Sequence, residues 1–454
     1  MRPPAALKGS VDFTQLEEEL HRLSQEVAGA LLVHALEEID QNLLAQKEEG
    51  LEVVCRKKRT LVTSVGEITF KRRLYVDKEG NYTFLLDEAL GLEPSKRISR
   101  RMKQLALELA TEMSFRRAAK VLGYIVPTVS HMGVWNVVKE AGEEACLEAN
   151  KLREDIFEQG KILEGERKVS KLYIEADEVW VRRQRGNGKK GLGMKLVVGY
   201  EGKTGQKKRL KNRRSVVGVT DGAGIWEEAG CDFGQKWKLS EVRKIRIGGD
   251  GASWIKGGIE HFPGASYHLD PFHLHKRLTE ALSNTNAYET AVEGIEQLNC
   301  EAVIQALDRE VLHLRGARKK RVKDLKKYLL ANWSGMAQLP EEERLGTIEG
   351  QVRHTIARRM KHIGGRWTLE GADRMGRLLA AKASGELNRY TNATKNSLVG
   401  LVGIDSPMER VATCHEKDLG DWLRAKVPAL KGPHASKPWI KYVLKELSLA
   451  QWSA

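Results

Sequence analysis

Apolar residues early in the chain recur at helical spacing. Phe13, Leu16, Leu20 and Leu23, then Leu31, Leu32, Ala35 and Ile39, predict one long helix over residues 11–48. It suits a dimerisation arm or an ordinary packing helix equally. Over 51–87 the period changes: "LVTSVGEITFKRRLYV" and "DKEGNYTFLL" alternate like strands and break at Gly66 and Gly80. Helical spacing returns over 98–142. Ser114 is a candidate N-cap for a helix carrying Phe115, Ala118, Ala119 and Leu122 and ending at Gly123. A second helix, "TVSHMGVWNVVKEAG", is expected to start at Pro127 or Thr128. Two helices around a glycine-bearing turn match a helix-turn-helix, with a buried helical hairpin as the less favoured alternative. In the former, Thr128, Ser130 and His131 would face base edges.

After a charged link near 150–170 the pattern becomes α/β. Apolar runs predict strands at 172–178, 194–201, 214–220, 243–249 and 265–269, with helices near 223–230 and 252–260. Three successive strands followed by alternation predict a mixed sheet. From about 271 to 430 the spacing is almost wholly helical and includes the basic run "RGARKKRVKDLKKY".

Composition adds a partner class. Among 454 residues, 76 Lys+Arg against 61 Asp+Glu leave a formal charge of +15. That excess favours a polyanion, most simply nucleic acid. Five scattered cysteines with no Cys-x-x-Cys pair argue against a disulfide framework or zinc ribbon. "MRPPAALKGS" is followed by no signal-like apolar segment, and no stretch has transmembrane length, so a cytoplasmic, nucleoid-associated protein without a membrane partner is expected.

Against this basic background, acids stand at predicted strand ends. Asp177 closes the first strand in "YIEADEVWV", and Asp250 closes the fourth in "IRIGGDGASWI". Turn formation or helix capping is the commoner use of such an acid. Ligands, however, bind beyond the carboxyl ends of strands in α/β sheets. Two aspartates held close repel one another unless a cation lies between them. Oxygen ligands favour Mg²⁺ or Mn²⁺, and two such ions can support phosphodiester displacement. A third carboxylate would complete the site, and Glu349 is the candidate, flanked by Glu341, Glu342, Glu343 and Glu370. Arg353, Arg358, Arg359 and Lys361 follow it on a predicted helix and suit phosphate contacts. Glu175 shares a strand face with Asp177 and could support it, while Glu178 points to the other face. Asp221, in "VTDGAG", reads as a turn residue.

The blocks "YIEADEVWV", "GDGASWIKGG", "YHLDPFHLHKRL" and "TIEGQVRHTIARRMK" occur in this order. Together they resemble the DDE transposases of bacterial insertion sequences, in particular the ISLre-type group of the Mutator-like branch, over roughly residues 50–385. The resemblance implies an α/β fold with an RNase H-like mixed sheet, interrupted by an all-helical insertion and preceded by a helical and helix-turn-helix DNA-binding region. It implies catalytic, metal-binding Asp177, Asp250 and Glu349, and selects Glu349 among its neighbours. Asp270 and His273 match the branch's Asp/Cys-x-x-His pattern and, with Glu175, are expected to support the site. A zinc site from His261, His268, Asp270, His273 and His275 is the competing idea. The implied divisions are an arm at 1–50, a DNA-binding domain at 51–150, catalytic core at 165–282 and 343–385, an insertion at 283–342 and a helical region at 386–454.

The implied activity is DNA cleavage and strand transfer with two Mg²⁺ or Mn²⁺ ions, acting on double-stranded transposon ends and target DNA. A homo-oligomer, at least a dimer, is expected. Arg318, Lys319, Lys320 and Arg321, with Lys323, Lys326 and Lys327, would grip phosphates, as could Lys207, Lys208, Arg209, Lys211, Arg213 and Arg214. A solvated loop or helix face is the less favoured alternative for both runs. Trp333 could stack on a base or belong to the core. The rivals are an RNase H-like nuclease or resolvase, a DNA-binding protein with a dead catalytic domain, and a paired-carboxylate glycosidase, which 6% aromatic content disfavours.

Overall fold

The computed structural model describes residues 12–391, apart from 127–128, 185–190, 206–208, 284, 338 and 341–342. The expected helical region at 386–454 therefore falls almost entirely outside the described residues, as does Thr128. The chain divides into two units. One comprises residues 1–103, 121–129 and 392–454, and the other 104–120 and 130–391. The segment expected as one DNA-binding domain, 51–150, is shared between them.

In the first unit, helix α1 (Phe13–Ala45) is capped by Asp12, whose carboxylate accepts from the Thr14 N–H at 3.1 Å. Strands β1 (Glu52–Thr63) and β2 (Gly66–Val76) form an antiparallel hairpin, followed by the short β3 (Tyr82–Thr83) and α2 (Leu85–Ala89). Leu36 on α1 joins Leu61, Ile68, Phe70 and Leu86 in the core, so the helix's second half is a packing helix. Three arginines of this hairpin turn inward. Arg59 pairs with Asp87 and Arg73 with Asp40, each at 2.5 Å and buried, while Arg72 lies over the Phe84 ring. Lys57, Lys58 and Lys71 remain exposed.

Helix α3 (Arg100–Glu112) leads to α4 (Phe115–Gly123), where Ser114 accepts from the Arg117 N–H at 3.3 Å, as its candidate cap role requires. Helix α5 runs His131–Phe157. It starts later than the sequence predicted: Ser130 accepts from the Gly133 N–H at 3.1 Å and caps it. Ser130 and His131 are exposed, while Val134, Val137, Val138 and Ala141 are buried.

The second unit centres on a five-stranded mixed sheet. Its strands are β4 (Lys171–Arg182), β5 (Gly191–Tyr200), β8 (Arg214–Gly218), β9 (Lys244–Gly249) and β10 (Ala265–Leu269). A small hairpin, β6 (Lys203–Thr204) with β7 (Arg209–Leu210), lies outside it. The spatial order is β10-β9-β4-β5-β8. Strands β4, β5 and β8 pair antiparallel, and β9 and β10 run parallel to β4. All five stand where the apolar pattern predicted strands, with β4 four residues longer at its carboxyl end.

One sheet face packs on α6 (Gly222–Lys236), capped by Asp221 as its turn role anticipates, and on the short α7 (Ser253–Lys256) and α8 (Gly258–His261). Leu172, Ile174, Ala176, Val197, Ile245 and Ile247 meet Trp226, Phe233 and Trp237 there. Helices α9 (Pro271–Leu282), α10 (Ala287–Glu296), α11 (Cys300–His313) and α12 (Gly316–Asn332) build their own core from residues including Leu278, Leu307 and Leu329. Trp333 is partly buried and packs against this core. The opposite sheet face receives α13 (Ile348–Val352), a π-helical continuation Arg353–His362, and α14 (Leu369–Ala383). Among the described residues no helix is long and apolar enough to cross a membrane.

Candidate metal centre

Side chains alternate along a strand. Leu172, Ile174 and Ala176 face α6, so Tyr173, Glu175 and Asp177 face α13. The parallel register then aligns three carboxylates. Glu175, Gly248 and His268 stand side by side on β4, β9 and β10, and Asp177, Asp250 and Asp270 each lie two residues further along. Asp177 does not end its strand, as the sequence suggested. It lies mid-strand, but just beyond the last residue that pairs with β9, so the cleft opens there all the same.

The third acid arrives by a different route. Glu175, 1% exposed, accepts hydrogen bonds from Tyr200 Oη at 2.5 Å and from the N–H groups of Gly346, Thr347 and Ile348 at 2.8, 2.7 and 3.1 Å. Thr347 Oγ1 donates a further bond at 2.6 Å. A buried carboxylate thus satisfies the free N–H groups at the start of α13. Glu349, in that helix's first turn, is delivered to Asp177. Gly248 has no side chain for a related reason: a Cβ there would lie 2.7 Å from the side chain of Leu345, which precedes α13. Glu343, one of the flanking alternatives, is instead held by Lys171, Lys244 and Arg246, whose hydrogen bonds keep its carboxyl down at about 2.

Asp177, His273 and Glu349 each offer one ligand atom within 4.8 Å of the others, a set able to hold a metal ion. Asp177 is pushed up to about 6, first by burial and then by the charges of Asp250 and Glu349, against the relief given by the Glu178 N–H and His273. Asp250 is therefore electrostatically part of the centre although it stands outside the tight set. Its Oδ1 accepts from the Ala252 N–H at 2.9 Å. Asp270 caps α9 through the Phe272 N–H at 3.2 Å and is raised by burial. His273 Nε2 lies 3.6 Å from Asp270 Oδ2 and 3.8 Å from Asp177 Oδ2.

Supports that no sequence motif announces also appear. Tyr328 on α12 donates to the Asp250 carbonyl at 2.8 Å, and Arg277 covers its ring at 4.1 Å. Asn332 sits against Gly251, whose φ of +94° and lack of Cβ allow that approach. Tyr200 and these two residues become legible only when strand register and helix docking are known.

Several expectations need correction. Arg359 is buried, donates to the Ala110 carbonyl at 2.6 Å and stacks near Phe115 and Trp367, so it is not placed for phosphate. Burial pushes it down to about 10. Arg213 donates to the Ala383 carbonyl and Gln351, and buried Arg214 pairs with Asp232 and Glu386, which removes both from the expected basic run. Lys211 lies 3.6 Å from Glu201, and Lys207 and Lys208 are outside the described residues. Arg318, Lys320, Arg321 and Arg353 are exposed, Lys319 is half-buried, and Arg358 is exposed beside Glu112 at 3.1 Å. Glu178 pairs across the strand with Lys195 at 3.7 Å. His261, His268, Asp270, His273 and His275 do not gather into a zinc set among the described residues. His268 contacts Arg246 and Ser266 at 2.9 Å, and burial with that guanidinium lowers it to about 4.

Relatives extend over most of the chain. UPF0236 protein TTE2489 of Caldanaerobacter subterraneus subsp. tengcongensis is 28% identical over 402 residues, covering 86% of this chain and 83% of its own. A second protein of that organism, whose name joins eleven loci from TTE0033 to TTE2212, is 27% identical over 408 residues, 86% of this chain and 82% of its own. Many copies in one genome are consistent with mobile elements. The UPF0236 protein in vanSb 3'region of Streptococcus gallolyticus is 27% identical over 402 residues, 85% and 86% of the two chains. Residues 6–397 match the uncharacterised protein family UPF0236, and the chain belongs to that family.

Proposed function

We propose that this chain is the DDE-type transposase of an insertion sequence, an enzyme that binds double-stranded transposon ends, cuts them and transfers the strand to target DNA. The carrying observation is the convergence of Asp177 and Glu349, from a central strand and a distant helix, with Asp250 close enough to raise Asp177. The sheet order, with three antiparallel strands followed by two parallel ones, supports an RNase H-like reading. The multi-locus relative supports a self-copying element.

Asp177, Asp250 and Glu349 would hold two divalent ions, and the donor set fits them: Asp177 is buried, Asp250 and Glu349 are more open to solvent and raise it, and a cation relieves carboxylates that repel one another. Such ions polarise a phosphoryl oxygen and offset the charge that develops on attacking and leaving oxygens. Glu175 fixes α13, and Tyr328 fixes the Asp250 backbone, so the acids are preorganised. Exposed Arg318, Lys320, Arg321 and Arg353 would hold phosphates, with Ser130 and His131 at a helix start available to base edges. A pair of transposon ends calls for at least a dimer.

The test is a strand-transfer assay on the DNA flanking the gene, with Mg²⁺ or Mn²⁺. Joined products that vanish in Asp177→Ala, Asp250→Ala and Glu349→Ala are expected. Cleavage without joining would make the protein a nuclease or resolvase. Salt-sensitive DNA binding with no cleavage would make it a DNA-binding protein with an inert core.

A further inference from the structure

We infer that His273 is itself a metal ligand, so that this centre takes a transition ion of the Mn²⁺ kind in preference to Mg²⁺. The inference rests on reading the α13 face as a metal centre. Two observations carry it. First, the side chains whose ligand atoms fall within 4.8 Å of one another are two carboxylates and an imidazole, not three carboxylates. Second, the surrounding polar atoms are left without partners. His273 Nε2 and Asp270 Oδ2 are both buried and neither has a hydrogen bond, although Asp270 is only 1% exposed and its Oδ2 faces the imidazole.

An imidazolium simply bridging the two aspartates would close to about 2.7–2.9 Å, the usual length of a charge-assisted hydrogen bond. The separations here are 3.6 and 3.8 Å. Orphaned polar atoms in a protein interior call for a missing partner, and an ion is one such partner. Local structure explains why the ring is there. Asp270 is the N-cap of α9, Pro271 and Phe272 take the first two helical positions, and His273 occupies the third. A side chain at that position folds back towards the cap at the end of β10, and from there the ring reaches 3.8 Å from Asp177 Oδ2. The ring's perpendicular contact with Phe272, at 5.5 Å between centroids, supports its orientation.

Imidazole is a borderline ligand suited to transition ions, whereas Mg²⁺ prefers oxygen alone and parts from its waters reluctantly. A site with one nitrogen and two or more carboxylates therefore discriminates by donor type.

The experiment uses the full chain without DNA. MnCl₂ is titrated by EPR, MgCl₂ is used as competitor, and the bound Mn²⁺ is examined by pulsed EPR for nitrogen coupling. Expected are imidazole coupling in the native protein and a preference for Mn²⁺ of about tenfold or more. In His273→Ala the coupling should vanish and most of the preference with it, while Asp177→Asn should remove the Mn²⁺ site. Bound Mn²⁺ without nitrogen coupling, or equal affinity for the two ions, overturns the role of His273 and leaves the metal centre standing. Mn²⁺ binding absent from the native protein, or unchanged by Asp177→Asn, overturns the metal centre itself. The coupling measurement needs no variant, so it holds even if a substitution fails to fold.

Discussion

Glu175 concentrates the stakes at the scale of single residues. Five donors converge on its buried carboxylate, and three of them are backbone N–H groups that no other side chain replaces. Glu175→Gln would turn a donating amide toward some of those donors. A stability loss of about 2–4 kcal/mol by chemical denaturation is expected, together with weaker Mn²⁺ binding because Glu349 loses its fixed place. Unchanged Mn²⁺ affinity would show that α13 holds Glu349 without this anchor. Asp177 supplies a pH prediction with a definite sign. Its folded-state value, about 6, is above the unfolded one. The protonated form is therefore favoured by folding, and this stabilising contribution is full below about pH 4 and lost as pH rises through 6. In metal-free protein, Asp177→Asn should gain on the native chain by a few kcal/mol at pH 8 and show little gain at pH 4. Divalent ions bind the ionised form, so native Mn²⁺ affinity should fall as pH drops through 6. Parallel melting curves of both proteins from pH 4 to 8 check the first claim, since carboxylates remote from Asp177 cancel in the difference, and the part that remains belongs to Asp177 with Asp250 and Glu349.

Among the secondary elements, α12 has two ends with different tasks. Its 17 residues span about 25 Å. The first half exposes Arg318, Lys320 and Arg321, and the second half holds Asp250 through Tyr328 and packs Asn332 against Gly251. Tyr328→Phe should cost about 1 kcal/mol of stability and loosen Asp250, lowering strand cleavage while DNA affinity stays the same. Lys320→Glu should do the reverse. A Tyr328→Phe protein with native cleavage would separate α12 from the site. Elements of this kind also mark how far the sequence could be read. All five strands follow from apolar runs, and the placement of Glu175 and Asp177 on one face follows from a period of two; both are local information. The N-cap roles of Asp221 and Ser114 follow from local chemistry as well. Tyr328 and Tyr200 could not be found that way, because their partners lie 78 and 25 residues away and depend on docking and register. Arg359 misled for the same reason: in "ARRMK" nothing distinguishes the arginine that turns inward to the Ala110 carbonyl from the one that stays outside.

That distinction matters at the scale of the whole molecule, where the net charge of +15 sums arginines of two kinds. Arg59, Arg73, Arg214 and Arg377 are spent on internal carboxylates, and Arg359 lies among aromatic rings. Exposed cations alone can displace counterions from DNA, so the two kinds should separate in a salt titration. The logarithm of the DNA association constant should fall linearly with the logarithm of salt concentration, with a slope set by the number of phosphates neutralised. Replacing Arg318, Lys320 or Arg353 by alanine should reduce that slope by about 0.9 for each phosphate that is no longer neutralised, with little change in melting temperature. Arg359→Ala should leave the slope of the folded protein intact and instead cost about 2–4 kcal/mol of stability, because a buried stack and its hydrogen bond disappear. A flat salt response of the native chain would remove DNA from its partners. A slope altered by Arg359→Ala but not by the exposed set would relocate the DNA surface away from α12 and the helix that follows Glu349.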